Sequence, residues 1–225
     1  MIDSRELLEL YSKHFDAPWR RPDMAVSLEA LQWLNVHGLP AVRERLGPIE
    51  NLADLGSGIS SVFFRLWLSR SQLVPCHVFT ADTDEAWLAK SAFETGVLLR
   101  GVKIPESWEE ELLGEWLTLD AFDERVTQDE GLQEAFQVVF LDTAKAGRRW
   151  RLLGLCNEIL VPGGCLILDD WHMAHHRDPS TKLLEAAGYE IEGYPLETLD
   201  DFGRYVAVAW KPREGATLPR PTSED

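Results

Sequence analysis

The chain has 225 residues, of which 45% are hydrophobic, and carries a formal net charge of −16. This length suits one α/β domain with a full core, and the negative charge disfavours nucleic acid as a partner because phosphate backbones would be repelled. No apolar run is long enough to span a membrane, the charged N-terminus does not resemble a signal peptide, and the three cysteines suit a reducing compartment, so we predict a cytoplasmic protein without a membrane partner.

The first 46 residues predict helices, because apolar residues recur at helical spacing over 5–14 and 24–34. We interpret 1–46 as a helical cap that is part of the same domain as the rest of the chain. From residue 51 onward, strand patterns alternate with helix patterns, which predicts βαβ units and a parallel sheet. The predicted strands cover 52–55, 77–81, 116–119, 137–141, 165–168, 189–194 and 204–210, with helices over 60–70, 84–94, 148–160 and 181–187.

A short connection joins the last two predicted strands, which are therefore expected to form an antiparallel hairpin. The predicted fold class is α/β: a Rossmann-like, doubly wound sheet of seven strands, mostly parallel, with the hairpin at its C-terminal end. We assign residues 47–212 to this domain of alternating strands and helices, and interpret 101–114 as an insertion with a short acidic helix. The polar, proline-containing tail at 213–225 is expected to be disordered.

The densest basic cluster does not change the expected class of partner. Arg148, Arg149 and Arg151 lie in the predicted helix 148–160 and are interpreted as a solvated or salt-bridged helix face. We therefore expect a small-molecule partner and no nucleic acid, and the oligomeric state is left open.

The most informative segment is Asp54-Leu-Gly-Ser-Gly58, which follows the first predicted strand and precedes a helix. Gly56 and Gly58 allow the unusual dihedral angles of a tight turn and a close approach of a ligand to the backbone. The carboxylate of Asp54 would repel a pyrophosphate, whereas it would attract the amine and the sulfonium of S-adenosylmethionine. The turn, with Ser57 between its glycines, therefore favours S-adenosylmethionine over NAD as the cofactor.

Acids also follow the second and third predicted strands. Asp82 lies where a nucleotide-binding sheet places a carboxylate against ribose hydroxyls, and with Thr83 it is assigned to the cofactor site. The alternative for Asp82 is a helix N-cap, although Asp84 is the better candidate for that cap. Asp120 is expected either to accept a hydrogen bond from the adenine amino group or to cap the next helix.

Three further acids are predicted to meet at one point, because Asp142 ends the fourth strand while Asp169 and Asp170 end the fifth. Three carboxylates held together repel one another unless a cation neutralises them, and ligation by oxygen alone favours Mg²⁺. We predict a metal site from these three acids and assign Asp142 to the cofactor site as well. Lys145 and His172 lie beside them in sequence and are the two candidate catalytic bases, with a surface lysine and a loop histidine as the alternatives.

Over about residues 48–212 the chain resembles the class I S-adenosylmethionine-dependent methyltransferases. The segment 54–58 resembles the family's glycine-rich first motif, although Ser60 replaces the third glycine of that motif. Asp82 resembles the family's ribose-binding acid, and 161–170 resembles the motif that leads into its fifth strand.

Within this family, the Asp-x-x-Lys segment 142–145 and the acid pair at 169–170 are similar to those of metal-dependent small-molecule and sugar O-methyltransferases. The resemblance implies S-adenosylmethionine as the cofactor and methyl transfer to a hydroxyl of a small molecule. It also implies a divalent ion, Mg²⁺ in the simplest case, that clamps two vicinal oxygens of the acceptor. A single acid after the fourth strand is also common among methyltransferases that use no metal, so metal dependence is left open.

Two other classes of function are weighed against this one. An NAD(P)-dependent oxidoreductase is disfavoured by Asp54 before the first glycine and by Ser61 at the third glycine position of a dinucleotide fingerprint. A non-catalytic protein of methyltransferase fold, which binds the cofactor or a partner without turnover, is disfavoured by the acids that follow the strands.

Overall fold

The structure, a computed structural model, describes residues 1–15, 25–71, 75–100, 102, 108–143 and 146–218. Its strands are β1 (Asn51–Leu55), β2 (His77–Asp82), β3 (Glu115–Thr118), β4 (Phe136–Leu141), β5 (Leu160–Leu168), β6 (Glu190–Gly193) and β7 (Ala207–Trp210). They form one sheet in the order β3-β2-β1-β4-β5-β7-β6. The first five strands pair in parallel, and β7 pairs antiparallel with both β5 and β6. The predicted fold class, including the C-terminal hairpin, is confirmed.

Helices occupy the connections between the strands and the N-terminal region. They are α1 (Ser4–Phe15), α2 (Leu28–Trp33), α3 (Leu39–Leu46), α4 (Ile59–Ser71), α5 (Glu85–Leu98), α6 (Glu109–Leu113), α7 (Leu119–Gln128), α8 (Leu153–Ile159), α9 (Ala174–Ala186) and α10 (Pro195–Thr198). Short 3₁₀ helices cover Glu130–Leu132 and Ala146–Leu152, and a π-helical turn at Leu34–Gly38 joins α2 to α3. No helix within the described ranges combines the length and the apolar character needed to cross a bilayer.

The sheet is buried on both faces, which explains why its central strands are almost entirely apolar. On β4, Val138 and Phe140 face the core that contains α4 and the N-terminal helices, whereas Val139 and Leu141 face the core that contains α7 and α8. Side chains of α1, α2 and α3 belong to the first of these cores, so the helical cap packs directly on the sheet. All three cysteines are buried and none forms a disulfide.

The N-terminal helices and the helix after β5 extend beyond their predicted ranges because of how proline is placed. Pro40 lies in the first turn of α3, which directly follows the π-helical turn Leu34–Gly38, and the helical dihedral angles of Gly38 and Leu39 continue into α3, so the proline does not interrupt the run of helices. Helix α9 begins at Ala174 and carries Pro179 in its interior, which is why the sequence pattern places its start later, at 181.

Two segments predicted to be irregular are ordered by backbone or side-chain contacts. Residues 161–164, which lie before the predicted fifth strand at 165–168 and contain a Pro-Gly-Gly sequence typical of a turn, are part of β5, because Gly163 N donates to Lys211 O at 3.1 Å and Lys211 N donates to Gly164 O at 2.9 Å. In the tail predicted to be disordered, the carbonyl of Ala216 accepts a hydrogen bond from Asn157 Nδ2 at 3.0 Å. The tail is therefore anchored to α8 up to residue 218, and 219–225 lie outside the described residues.

Candidate functional site at the carboxyl edge of the sheet

The turn after β1 fits closely against the backbone at the end of β4. Gly56 has φ +132, and its N–H donates to Ala81 O at the end of β2 at 2.8 Å. A Cβ added to Gly56 would lie 2.7 Å from the carbonyl carbon of Asp142 and 2.9 Å from Thr143 N. Only glycine satisfies both the dihedral angle and this contact, which explains the first glycine of the sequence motif.

We expect Gly56→Ala to destabilise the protein by about 2 kcal/mol or more, because it adds a clash with fixed backbone to an unfavourable φ. The matched control is Gly203→Ala, since Gly203 also has a positive φ, +77, but has nothing within 4 Å of its added Cβ. Urea unfolding of both variants separates the two effects. Equal losses of unfolding free energy would contradict the close approach of Gly56 to the end of β4.

Asp82, at the end of β2, holds the glycine turn in place. Its Oδ2 accepts hydrogen bonds from Ser57 N at 2.8 Å and from Ser57 Oγ at 2.9 Å, and its Oδ1 accepts one from Asp84 N at 3.1 Å. Trp87 Nε1 donates to Ser57 O at 2.8 Å from the other side. Asp84 is the N-cap of α5, as predicted, because its Oδ1 accepts from Trp87 N at 2.9 Å. The carboxylate predicted to bind ribose is therefore also the anchor of the turn.

Asp54 lies inside the protein rather than at the rim of the site. Its side chain is fully buried, Ser60 Oγ donates to its Oδ1 at 3.0 Å, and Ser61 Oγ donates to its Oδ2. These serines belong to the first turn of α4, so the carboxyl group ties β1 to the start of that helix. Contact between Asp54 and a ligand amine stays a prediction, and this burial does not support it.

Burial raises the pKa of Asp54 to about 7, against the lowering effects of the Ser61 hydrogen bond and the Arg65 charge. A carboxyl group whose pKa is higher in the folded state than in the unfolded state stabilises the protein below about pH 4. That stabilisation is lost as the pH rises through about 7.

We therefore expect Asp54→Asn to gain stability relative to the wild type as the pH rises from about 4 to about 8, by up to about 4 kcal/mol. The measurement is urea unfolding of both proteins at several pH values. A difference in unfolding free energy that does not change with pH would contradict the buried, raised-pKa state of Asp54.

Asp120 and Thr83, both assigned to the cofactor site from the sequence, are exposed at the same edge of the sheet. Asp120 lies in the first turn of α7, directly after β3. It is not the cap of that helix, because Thr118 is the N-cap and its side chain accepts from Ala121 N at 3.2 Å. A contact between Asp120 and adenine stays a prediction. The side chain of Asp120 is exposed, so a ligand could reach it from solvent.

The three acids after β4 and β5 come together as predicted. One oxygen from each of Asp142, Asp169 and Asp170 lies within 4.8 Å of the others. The ladder between the strands brings them there, because Asp142 N donates to Leu55 O and Asp169 N donates to Leu141 O. Asp170 has φ +55, a left-handed conformation that is uncommon outside glycine and that turns the chain sharply at the end of β5.

The guanidinium of Arg149 lies within this acid cluster. Its Nη2 is 2.8 Å from Asp142 Oδ1, and its Nη1 is 3.0 Å from Asp170 Oδ2. All three guanidinium nitrogens also donate to main-chain carbonyls: Nε to Thr143 at 3.2 Å, Nη1 to Asp169 at 3.3 Å and Nη2 to Asp142 at 3.2 Å. The side chain is 7% exposed. Of the two predicted states of Arg149, a solvated or a salt-bridged helix face, the structure has the salt-bridged one, in the 3₁₀ helix Ala146–Leu152.

Burial and the charges of the cluster shift the pKa values of Asp142, Asp169 and Arg149. Burial, together with the charge of Asp169, raises the pKa of Asp142 well above its ordinary value. Burial and then the charge of Asp170 raise the pKa of Asp169 to about 6. Burial alone would lower the pKa of Arg149, but the carboxylates of Asp142 and Asp170 raise it above its ordinary value. The cluster thus holds one permanent cation against three acids.

The arrangement of these residues does not fit a divalent ion. Carboxylate oxygens are suitable ligands for Mg²⁺. However, the guanidinium of Arg149 is within ion-pair distance of Asp142 and Asp170, and a dication would compete for these same oxygens and face a like charge. The predicted metal site of Asp142, Asp169 and Asp170 is therefore present as a set of acids, and its cation is an arginine.

Of the two candidate bases, His172 and Lys145, only His172 lies within the described residues. His172 is partly exposed, and its Nδ1 is 3.9 Å from Asp170 Oδ1. Among the described residues, that nitrogen has no hydrogen-bond partner. Lys145 lies outside the described residues, so its role as a base stays a prediction. His176, in α9, is fully buried, and burial lowers its pKa to about 4, so it is a neutral part of the interior.

Solved structures with the same architecture come from several bacteria. The O-methyltransferase TomG of Streptomyces achromogenes, involved in tomaymycin synthesis and solved with S-adenosylmethionine, is 18% identical and has a TM-score of 0.60; the match covers 94% of this chain and 91% of TomG. An O-methyltransferase of Bacillus cereus solved with S-adenosylhomocysteine is 14% identical, with a TM-score of 0.60 and coverage of 94% and 93%. A S-adenosylmethionine-dependent O-methyltransferase of Thermotoga maritima is 13% identical, with a TM-score of 0.60 and coverage of 95% and 73%.

The chain has the fold of S-adenosylmethionine-dependent O-methyltransferases. The likeness extends over nearly the whole chain, so the helical cap and the hairpin are included in it. No protein-family model and no curated protein sequence matches the chain. At these identities the comparison establishes the methyltransferase fold, and the residues of the site must carry any statement about function.

Two residues at the edge of this methyltransferase fold were missed by the reasoning from sequence. Trp87, which holds the glycine turn, is not distinguishable from a core tryptophan by its position in a helix. Arg149 follows Asp142 in the same connection between β4 and α8, at a place where three converging acids require a cation. The need for a cation beside three acids is the sequence signal for Arg149, but the sequence pattern predicts a metal ion as that cation.

Proposed function

We propose that this protein is a S-adenosylmethionine-dependent methyltransferase that acts on a hydroxyl oxygen of a small molecule. The observation that carries the proposal is the junction of the glycine turn and Asp82, where the turn after β1 is fixed against the end of β2 by hydrogen bonds to Ser57. In open α/β sheets, ligands bind outside the carboxyl ends of the strands, at the point where the strand order reverses. Here β1 lies between β2 and β4, at that point.

Each part of this edge has a role in the proposed reaction. In this proposal the backbone of the turn at Gly56 and Gly58 lets the cofactor approach closely, and the carboxylate of Asp82 accepts hydrogen bonds from ribose hydroxyls. Asp120, exposed directly after β3, which neighbours β2 in the sheet, is the proposed partner of the adenine amino group. Two similar structures were solved with S-adenosylmethionine or S-adenosylhomocysteine, which supports the choice of cofactor.

The chemistry that S-adenosylmethionine supplies is a methyl group whose bond to the sulfonium breaks as the acceptor oxygen forms its bond to carbon. The protein has to hold the acceptor hydroxyl in line and remove its proton. The acids after β4 and β5 lie beside the cofactor edge and can accept hydrogen bonds from the acceptor. His172 is the candidate base that the structure supports, because Asp170 lies beside it and its ring is partly open to solvent.

The net charge of −16 supports a small-molecule acceptor rather than a nucleic acid. The three buried cysteines, none of which forms a disulfide, support the cytoplasm as the compartment. The acceptor class is proposed from the acids of the site, which suit groups that donate hydrogen bonds.

Calorimetric titration with S-adenosylhomocysteine and, in parallel, with NADH tests this proposal. We expect one site per chain for S-adenosylhomocysteine with a dissociation constant in the micromolar range, about −8 kcal/mol, and no binding of NADH. Binding of NADH alone would favour an oxidoreductase. Binding of neither compound at about 1 mM would contradict the assignment of the edge to a nucleoside cofactor.

A further inference from the structure

The acid cluster of Asp142, Asp169 and Asp170 is built around a cation that belongs to the chain itself. In an acid cluster that takes a dication, the carboxylate oxygens are left free to be its ligands. Here two of the three side chains form ion pairs with the guanidinium of Arg149, at 2.8 Å to Asp142 and 3.0 Å to Asp170. The third acid is reached through its main-chain carbonyl, 3.3 Å from Nη1.

The guanidinium has its hydrogen-bond donors directed to five oxygens. Two are carboxylate oxygens of Asp142 and Asp170, and three are the carbonyl oxygens of Thr143, Asp142 and Asp169. A guanidinium has five N–H bonds, so this set of oxygens matches its full donor capacity. No donor of Arg149 remains for a substrate, and the side chain acts on the acids rather than on the acceptor.

We propose that Arg149 takes the place of a divalent ion in this site and makes the protein independent of metal. The arginine holds the acids after β4 and β5 together by charge and by a fixed fork of hydrogen bonds, and leaves their outer oxygens to accept hydrogen bonds from the acceptor. It is a positioning residue, because it acts through Asp142 and Asp170. Its role in methyl transfer rests on the proposed function, whereas its competition with a metal ion does not.

The test is a titration of the full-length protein with Mn²⁺, followed by electron paramagnetic resonance of the free ion. We expect the wild type to bind no Mn²⁺ at this site, and Arg149→Ala to gain one site per chain, at least about tenfold tighter than any other Mn²⁺ binding by the wild type, because three carboxylates then have no cation. Adding Asp170→Asn to Arg149→Ala should remove the new site. Arg149→Gln, which keeps part of the hydrogen bonding but not the charge, should also gain a site.

The matched control is Arg151→Ala, which removes a positive charge from the same connection. Arg151 stacks on Trp150, with its guanidinium carbon 5.4 Å from the ring centroid, so its loss should create no Mn²⁺ site. Stoichiometric Mn²⁺ binding by the wild type that disappears in Asp170→Asn would overturn the proposal, whether or not the Arg149 variants fold. Folded Arg149 variants without an Mn²⁺ site would overturn it equally. Neither result depends on whether S-adenosylhomocysteine binds, so this proposal and the proposed function can fail separately.

Discussion

We expect Asp82→Ala to weaken the binding of S-adenosylhomocysteine by at least about 100-fold. Two causes act together. The carboxylate is the proposed partner of the ribose hydroxyls, and it also fixes the glycine turn through the N–H and the hydroxyl of Ser57, both within 2.9 Å. Without the carboxylate, the glycine turn loses the hydrogen bonds that hold it against β2. Ligand binding then also has to order the turn, and this cost in free energy lowers the affinity.

Calorimetry on the wild type and on Asp82→Ala measures this loss, and Asp84→Ala is the control. Asp84 lies two residues away and caps α5 through Trp87 N, so its replacement should cost about 1 kcal/mol of stability and leave the affinity nearly unchanged. If both variants bind S-adenosylhomocysteine as the wild type does, the ligand does not use the end of β2.

The second large effect is expected at Arg149. Removing one partner of a buried ion pair leaves uncompensated charge, so Arg149→Ala should lower the free energy of unfolding by about 3–5 kcal/mol. Adding Asp170→Asn should return part of this loss, because one of the repelling carboxylates is then neutral. The measurement is a double-mutant cycle by urea unfolding at neutral pH, in buffer with a chelator so that trace metal does not replace the arginine.

Arg151→Ala provides the comparison for that cycle, since Arg151 lies in the same 3₁₀ helix and its guanidinium stacks on Trp150. Its expected cost is below about 1 kcal/mol. Additive effects of Arg149→Ala and Asp170→Asn would show that the two side chains are not coupled, contrary to the 3.0 Å contact between them.

The sheet could be predicted from the sequence because its signals are local. Apolar runs such as Val138–Leu141, glycine turns and acids at strand ends each occupy a few consecutive residues, and the alternation of strands and helices fixes the parallel order. The start of β5 is harder to predict from the sequence. Pro162, Gly163 and Gly164 resemble a turn, and only their pairing with Lys211, far away in sequence, makes them part of a strand.

The position of the acid cluster is predictable from the sequence, but the cation that pairs with its carboxylates is not. The carboxyl ends of adjacent parallel strands meet at one edge, so Asp142, Asp169 and Asp170 could be placed together from their strands alone. The cation is different, because the guanidinium of Arg149 reaches the cluster only through the course of the connection after β4 and the rotamer of a long side chain. Neither is encoded in the spacing of residues.

Asp54 shows a similar limit. Its place before Gly56 indicates the motif, but the direction of its side chain depends on Ser60 and Ser61 one turn into α4, which draw the carboxyl group into the interior. The sequence pattern thus identifies the turn and not which of its acids faces the ligand. Among the acids that follow the first three strands, Asp120 is exposed, whereas Asp82 is buried and holds the glycine turn through Ser57.

The most direct test of this account is a crystal structure of the protein grown with S-adenosylhomocysteine and a chelator. The account predicts the ribose hydroxyls at about 2.6–3.2 Å from the carboxylate of Asp82, with Arg149 still paired to Asp142 and Asp170. A ligand bound elsewhere, such as in the cavity lined by Trp33, Tyr194 and Trp210, would contradict the assignment of the cofactor to the carboxyl edge.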